Sequence, residues 1–381
     1  MRSDRQGTAL AACLLMGTAL FATNGDELIG IGAKSRGMGG TGTALLQGAE
    51  SSLSNPALIG GIVGRELFAG ATLFMPDVVS DLGAGEAESG ADLSVIPELA
   101  YAQRYDAAFS WGVGIFGTAG MGVDYEKSSS HMEMKTQLQL MEVTLPVAYR
   151  RGRISIGAAP ILQYGSLDIT YTGSSTGGKA DDLGFGFQAG LLYHWPSVAI
   201  GASYRSAIDM EYRDQLSRAT ADFGLSGYSD HLEQPYEYGV GICYSRNAHT
   251  VAVDYRRIGW ADARGYREFG WKNQNVFAAG YQYQVERWSL RGGINHGKSP
   301  IREAEGTMAG VVNTMNLLGF PAIVETHYTA GLSYELLPDV TVDAAFTYAA
   351  EVEERFRGMM GTTVATTHSQ QGITLGAAYR F

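Results

Sequence analysis

The sequence predicts an all-β protein: a transmembrane antiparallel β-barrel of about fourteen strands with an N-terminal hatch plugging its lumen. Three observations carry this. Segments in which apolar and small or polar residues alternate recur from residue 65 to the end. The chain holds 51 glycines and 21 tyrosines, a poor mixture for helices and a costly one for a water-exposed surface unless something apolar covers the aromatics. And it opens on charged, then apolar, then polar residues, the order of an export signal.

That opening is "MRSDRQGTALAACLLMGTALFATNGDE". Arg2 and Arg5 precede an apolar run from Thr8 to Ala22, too short to halt in a bilayer, so residues 1–22 are expected to be a signal peptide cleaved after Ala19 or Ala22. Leu10-Ala11-Ala12-Cys13 is similar to a lipoprotein processing box, but most of the apolar run follows Cys13 instead of preceding it. Beyond the signal, Cys243 stands alone, which excludes an internal disulfide in the exported chain. The formal net charge of −11 argues against a nucleic-acid partner. No apolar run in the mature part reaches the length of a helical span.

Residues 23–64 do not alternate and are rich in small and loop-forming residues, as a hatch needs to be; residues 65–381 form the barrel. Within the hatch, Gly37-Met38-Gly39-Gly40-Thr41-Gly42 matches the G-x-G-x-x-G turn that cradles a dinucleotide, with Glu66 near the place of an acidic ribose ligand.

Strand segments follow near 65–75, 92–105, 107–125, 131–150, 152–173, 182–196, 198–213, 232–246, 248–259, 272–285, 287–296, 324–336, 339–350 and 370–381. Strand side chains alternate between faces. Thus Val340, Val342, Ala344, Phe346 and Tyr348 face one way and Thr341, Asp343 and Thr347 the other. Phe277, Tyr281 and Tyr283 repeat the pattern, as do Trp288, Leu290 and Ile294 against Ser289, Arg291 and Gly293. A membrane barrel shows the apolar face to lipid and keeps the polar one inside. Short turns such as 285–287 and 337–339 alternate with long polar stretches at 213–231 and 351–369, expected as loops of the opposite rim. The last residues, "GITLGAAYRF", place aromatics at the final and third-last positions, similar to outer-membrane barrels, whose final strand carries the assembly signal; Phe381 is the expected contact with the barrel-assembly machinery.

Chemistry finds little purchase. His131-Met132-Glu133-Met134 is the one local hint of a metal, and two ligands on one strand face make no site without partners; no metal or other cofactor is expected. No segment singles out the serine, histidine and orienting group of a barrel lipase, so no enzyme is expected. The loop "EGTMAGVVNTMNLLGFPAI" carries Met308, Val311, Val312, Met315, Leu317, Leu318 and Phe320. Flexible thioethers and branched aliphatics suit an unspecific apolar landing site, or else pack as loop core over the rim. Gly117, Ala119, Gly120 and Gly122 crowd the third strand, where glycine marks a kink or relieves crowding between large neighbours.

"GIGAKSRGMGGTGTALLQGAESSLSNPALIGGI" resembles the N-terminal hatch of the FadL/TodX-type family of outer-membrane transporters for long-chain fatty acids and hydrocarbons, with small residues leading to Asn55-Pro56-Ala57. "VIPELAYAQRYDAAFSWGVGIFGTAGMGVDY", "WKNQNVFAAGYQYQVERWSLRGGINHGKSPI" and "FPAIVETHYTAGLSYELLPDVTVDAAFTYA" extend the likeness over most of the mature chain. The resemblance implies a monomeric channel in the bacterial outer membrane, among its lipids, for passive uptake of hydrophobic small molecules. Apolar loops (Met308, Val312, Met315, Leu317, Leu318, Phe320) would capture the ligand, which would pass the hatch at Asn55, Pro56, Ala57, Leu58 and Ile59. Release would be lateral, through an inward kink of the third strand at Gly117, Ala119, Gly120 and Gly122. The hatch glycines then serve tight turning in a crowded lumen; no strand-helix alternation follows to complete a nucleotide domain, and export leads away from nucleotides. A general porin, or a structural or receptor barrel, is the alternative.

Overall fold

A computed structural model describes residues 23–381. The expected signal peptide, with both cleavage positions, lies outside the described residues. Fourteen staves form one ring: β1 Arg65–Asp81, β2 Ser94–Arg104, β3 Phe109–Asp124, β4 in two pieces, Lys135–Thr144 and Val147–Arg151, β5 Ile154–Thr170, β6 Ala180–His194, β7 Val198–Arg205, β8 Glu237–Arg246, β9 His249–Ile258, β10 Gln274–Val285, β11 Trp288–Gly297, β12 Thr326–Leu337, β13 Val340–Arg357 and β14 Thr363–Arg380. Each pairs antiparallel with its neighbours in chain order, and β14 pairs with β1, which closes the barrel.

The two-residue period explains the wall. On β8 to β10, Val240, Ile242, Tyr244, Phe277, Tyr281 and Tyr283 are exposed outward, while Cys243, Ala252 of β9 and Ala278 point in and are buried. Lipid removes the cost that water would impose on that outer face. At the short-turn rim the Trp288 and Tyr334 rings lie 4.3 Å apart with Arg287 over Tyr334, an amphipathic pairing suited to the boundary of a bilayer.

Four expectations need correction. The strand expected over 198–213 ends at Arg205, and its partner begins at Glu237 instead of 232. Between them the chain turns into the lumen, because β6 offers glycine there: a Cβ on Gly184 would lie 2.5 Å from Ile208 Cγ2 and from Met210 Sδ. The polar stretch 351–369 is not a loop; β13 and β14 continue to a turn at Met359–Gly361. Phe356, Val364, Thr366 and His368 remain buried on one face, so its polar residues mark height above the lipid and not loss of the ladder. The fourth stave breaks at Leu145-Pro146, where proline offers no donor. Finally, His131 and Glu133 share no strand face: His131 ends a short turn, Ser129–His131, and its Nε2 meets the Ser80 carbonyl at 2.8 Å.

Residues 23–64 fill the lumen on the short-turn side. They comprise a two-residue hairpin (Thr23–Asn24 with Glu27–Leu28), a one-turn helix Gly32–Arg36, and 3-10 turns Ala49–Leu53 and Pro56–Gly61.

Candidate functional site

Three regions align along the lumen: a seal between hatch and wall, a break in the ladder at β3, and a cleft among the loops.

The seal depends on glycines of the wall. Inward positions of six staves lack side chains where the hatch backbone passes. A Cβ on Gly157 would meet the Pro56 carbonyl at 2.7 Å, on Gly190 the Pro56 Cδ at 3.0 Å, on Gly201 the Ala44 Cα at 3.0 Å, on Gly280 the Met38 carbonyl at 2.5 Å, on Gly293 the Gly39 Cα at 2.9 Å, and on Gly331 the Gly37 Cα at 2.9 Å. Absence of side chains lets polar bonds form across the interface. Asn55 accepts from the Ala57 amide (3.0 Å) and donates to the carbonyls of Thr43 (2.8 Å), Leu191 and Ala202 (both 3.3 Å), joining its own turn to β6 and β7. Asp254 accepts from the Gly42 and Thr43 amides, both at 2.8 Å. The Gly39 amide donates to Thr329 at 2.9 Å. Amides that would cradle a pyrophosphate are therefore spent, those of Gly37, Met38, Gly40 and Thr41 on carbonyls of the hatch itself and those of Gly39, Gly42 and Thr43 on side chains of the wall, which disposes of the nucleotide fingerprint. Asn55, Pro56, Ala57, Leu58 and Ile59 are all buried at this interface.

Ion pairs lock the same surfaces. Lys34 lies 3.4 Å from Glu50 and 3.5 Å from Asp343 of β13, and Arg36 pairs with Glu98 of β2 at 2.8 Å. Arg205 of β7 pairs with Glu27 of the hatch and, at 3.1 Å, with Glu142 of β4.

The ladder break is sharp. β3 pairs with β2 from Ser110–Arg104 up to Phe116–Glu98 and no further. It goes on pairing with β4 as far as Asp124–Lys135, after a bulge between Gly117 and Ala119 that leaves Thr118 unpaired. On the side β2 has abandoned, Ala119 bridges to Glu27 of the hatch, and the Gly120 amide donates to the Asp26 carbonyl at 3.0 Å. From Phe116 to Val123 every residue is buried. A strand in the lipid-facing wall alternates; one covered on both faces has left that wall and bent inward. Gly117 stands at the pivot, where a Cβ would lie 2.7 Å from Ile96 Cγ2.

The cleft, about 870 Å³, is lined by Phe223, Met308, Val311, Met359 and Met360 together with Asp222, Glu303, Glu305 and Arg357. Met308 is exposed there, whereas Val312, Met315, Leu317 and Leu318 are buried and Phe320 half-buried. The loop folds back into the barrel top: the Gly319 and Leu317 carbonyls accept from Thr136 (2.5 Å) and Thr366 (2.9 Å), and Trp271 Nε1 donates to Asn316 at 3.0 Å. These residues join one apolar cluster that includes Ala119, Met121 and Val123 of β3, with Phe223 and Val311 at its edge. Apolar packing therefore runs without interruption from the cleft to the ladder break.

Reading the sequence missed the wall glycines, Thr118, the Arg205 pairs and Met359–Met360. Only the glycines carried a signal, their recurrence at inward strand positions. Among the described residues no group of three histidines, cysteines or carboxylates could hold a metal.

The chain matches the family described as outer membrane protein transport protein (OMPP1/FadL/TodX) over residues 22–235 and 264–381. It is 22% identical to the long-chain fatty acid transport protein of Escherichia coli, across 93% of this chain and 92% of that one. Among solved structures, a Pseudomonas aeruginosa FadL homologue superposes with a TM-score of 0.73 at 15% identity, covering 94% of this chain and all of the other. The Pseudomonas putida toluene transporter TodX superposes with a TM-score of 0.70 at 20% identity, covering 92% and 99%. The chain belongs to this family of outer-membrane transport barrels.

Proposed function

We propose that this family member is a passive channel through which hydrophobic small molecules, long-chain fatty acids or hydrocarbons, enter the cell, with no cofactor and no covalent step. The observation that carries the reading is the unbroken apolar cluster between the loop cleft and the bent strand. Ligand lands on Met308 and the neighbouring apolar side chains of the cleft, works inward past Val312, Met315, Leu317, Leu318 and Phe320 as the loop shifts, and meets the hatch. Asn55 to Ile59 form the seal that blocks a straight descent. Release is sideways, beside Gly117, Ala119, Gly120 and Gly122, where β2 and β3 no longer pair. Unpaired backbone is tolerable at membrane depth only where protein or water lines it, and here the hatch supplies that lining. The two relatives named for fatty acids and for toluene fit a route defined by apolarity more than by shape.

The test is uptake of labelled hydrophobic solutes by cells whose only such channel is this protein, set beside swelling of vesicles in sugars. Uptake without sugar permeation is expected; sugar permeation alone would establish a general porin. The barrel acts as a monomer and its C-terminal strand, with Tyr379 and Phe381 stacked 5.1 Å apart, addresses the assembly machinery. Deleting Phe381 should lower the amount of heat-modifiable protein in the outer membrane, and undiminished assembly would refute that role.

A further inference from the structure

The seam between β6 and β7 also stops short. β7 pairs with β6 from Ala199–His194 up to Arg205–Gln188 and no further, while β6 continues to Ala180, paired over that stretch with β5 alone. Phe187 opposes Pro160, whose carbonyl accepts from the Leu145 amide on the β4 side. Where the two members of an antiparallel pair bond away from each other, so do the pairs two and four residues on. The amides and carbonyls of Leu183, Phe185 and Phe187 therefore face away from β5, toward the place that β7 has left. Phe187 is satisfied there by Ser206, whose amide donates to its carbonyl and whose Oγ accepts from its amide, both at 3.0 Å. Higher up, the Asp182 carboxylate accepts from the Glu211 amide at 2.7 Å. Between these two ties, no stave pairs with Leu183 or Phe185 on that side among the described residues.

What covers this window from inside is side chain, not ladder. Residues 206–213 cross the inner face of β6, with Ile208 and Met210 buried against its glycines; a Cβ on Gly186 would lie 2.6 Å from Ile208 Cγ1. Outside, Leu183, Phe185 and Phe187 face lipid, and Phe185 is 76% exposed, the most of any aromatic in the staves, because no stave stands beside it. Packed side chains can part without breaking a backbone bond; a ladder cannot. Ile208 and Met210 also belong to the apolar cluster that joins the loop cleft to β3. The hatch residues at the β3 break hold the same segment: Asp26 accepts from Gln234 at 3.1 Å, and Gln234 exchanges backbone bonds with Ile208 at 2.9 and 3.0 Å.

A long hydrocarbon dissolved among acyl chains can reach the loop cleft only by returning to water, at a cost that grows with every methylene. A way through the wall spares it that step. Resting on the channel reading above, we propose that the window between β6 and residues 206–213 is a second lateral portal, an entrance for hydrocarbons dissolved in the leaflet on the loop side. They pass Ile208 and Met210 into the apolar cluster and leave at β3.

The test locks the window. Gly186→Cys with Ile208→Cys sets two thiols against each other, the smaller side chain at 208 making room for the new one at 186, and oxidation ties β6 to the segment behind it. Uptake of hexadecane and of toluene is measured in cells carrying this variant, oxidised and reduced, and in cells lacking the protein. Hexadecane, which partitions into the membrane, should enter the oxidised cells no faster than cells lacking the protein, and should recover on reduction. Toluene, soluble enough to reach the cleft from water, should enter at the same rate in both. Undiminished hexadecane uptake with the crosslink verified would overturn the portal and leave the channel standing. Loss of both solutes on oxidation would mean a jammed lumen, and would overturn the portal likewise. No protein-dependent uptake of either solute, by the reduced variant or the unmodified protein, would overturn the channel itself. The unmodified protein supplies a second measurement, in vesicles of phospholipid that carries a photoreactive diazirine at the end of one acyl chain. Irradiation should label Met210 as well as Leu183 and Phe185, and label confined to the outward side chains would refute the entrance.

Discussion

Two neighbouring seams of one wall behave in opposite ways. Between β14 and β1 the ladder runs from Arg380–Glu66 to Ala365–Asp81 without a shift, and Leu73, Ile373, Leu375 and Tyr379 face outward in strict alternation. Between β2 and β3, two staves away, pairing ends at Phe116 and burial becomes continuous. Composition alone does not separate them, since Gly70, Gly372 and Gly376 sit in the intact seam. What differs is an unpaired residue, Thr118, and a hatch that offers β3 a substitute partner. An opening in a barrel is therefore a change of partner, in which the backbone bonds lost to β2 are partly remade with the hatch.

The strongest way to break the contrast is to remove the bulge. Deleting Thr118 restores a two-residue period through β3, so that it can pair with β2 as β14 pairs with β1. Uptake of hydrophobic solutes should fall to that of cells without the channel, while the protein still migrates as a heat-modifiable barrel; transport at the normal rate would mean that the exit lies elsewhere. Next comes the seal. Gly190→Val places a branched side chain against Asn55 and Pro56, and the displaced turn should make the outer membrane leaky to sugars and small antibiotics. Arg205→Ala acts on the flank of the break: it leaves the Glu27 and Glu142 carboxylates buried together, and should lower stability by roughly 3 kcal/mol in chemical unfolding, with Arg205→Lys recovering part of the loss.

The smallest effect concerns pH. Burial pushes the Asp26 carboxyl from its ordinary 3.8 up to about 6, against the opposing pull of the Tyr266 and Gln234 hydrogen bonds and of Arg205. The fold thus favours the protonated acid, and this contribution is complete below about pH 4 and fades as pH rises through 6. The thermal midpoint of heat modification should decline over that window. Asp26→Asn should flatten the decline, leaving the part due to Glu27 and Glu50, which burial raises in the same sense to about 8 and about 7. An identical slope in the variant would show that Asp26 does not titrate there.

Sequence revealed the wall because lipid enforces a period of two on every stave, and that period survives in short windows such as 340–348. The crowd of Gly117, Ala119, Gly120 and Gly122 falls on the stretch of β3 where pairing with β2 stops, but glycines in the intact seam show that crowding alone does not mark a break. Sequence did not reveal the partners. Glu27 and Arg205 are 178 positions apart, and nothing local in either marks the other. Nor could it show that 206–213 leaves the wall, because Ile208, Met210 and Tyr212 keep a strand's alternation while packing on glycines of other staves. The Met308–Phe320 loop was legible as apolar, but whether apolar groups face a cleft or a core depends on how the loop folds back.

The hatch also carries counter-charge for the tube around it. Lys34 and Arg36 sit against Asp343 and Glu98 of the wall, so lifting out residues 36–61 would remove Arg36 and, with Glu50 gone, weaken what holds Lys34. The lumen would keep Glu98, Glu142, Glu237, Asp254 and Asp343 of the wall against Arg205, Arg256 and Arg291, along a track of glycines with few side chains to obstruct it. In electrical terms such a barrel is a permanently conducting pore with a fixed negative lining. Its reversal potential in a salt gradient should report a preference for cations, whereas the intact protein should carry almost no current.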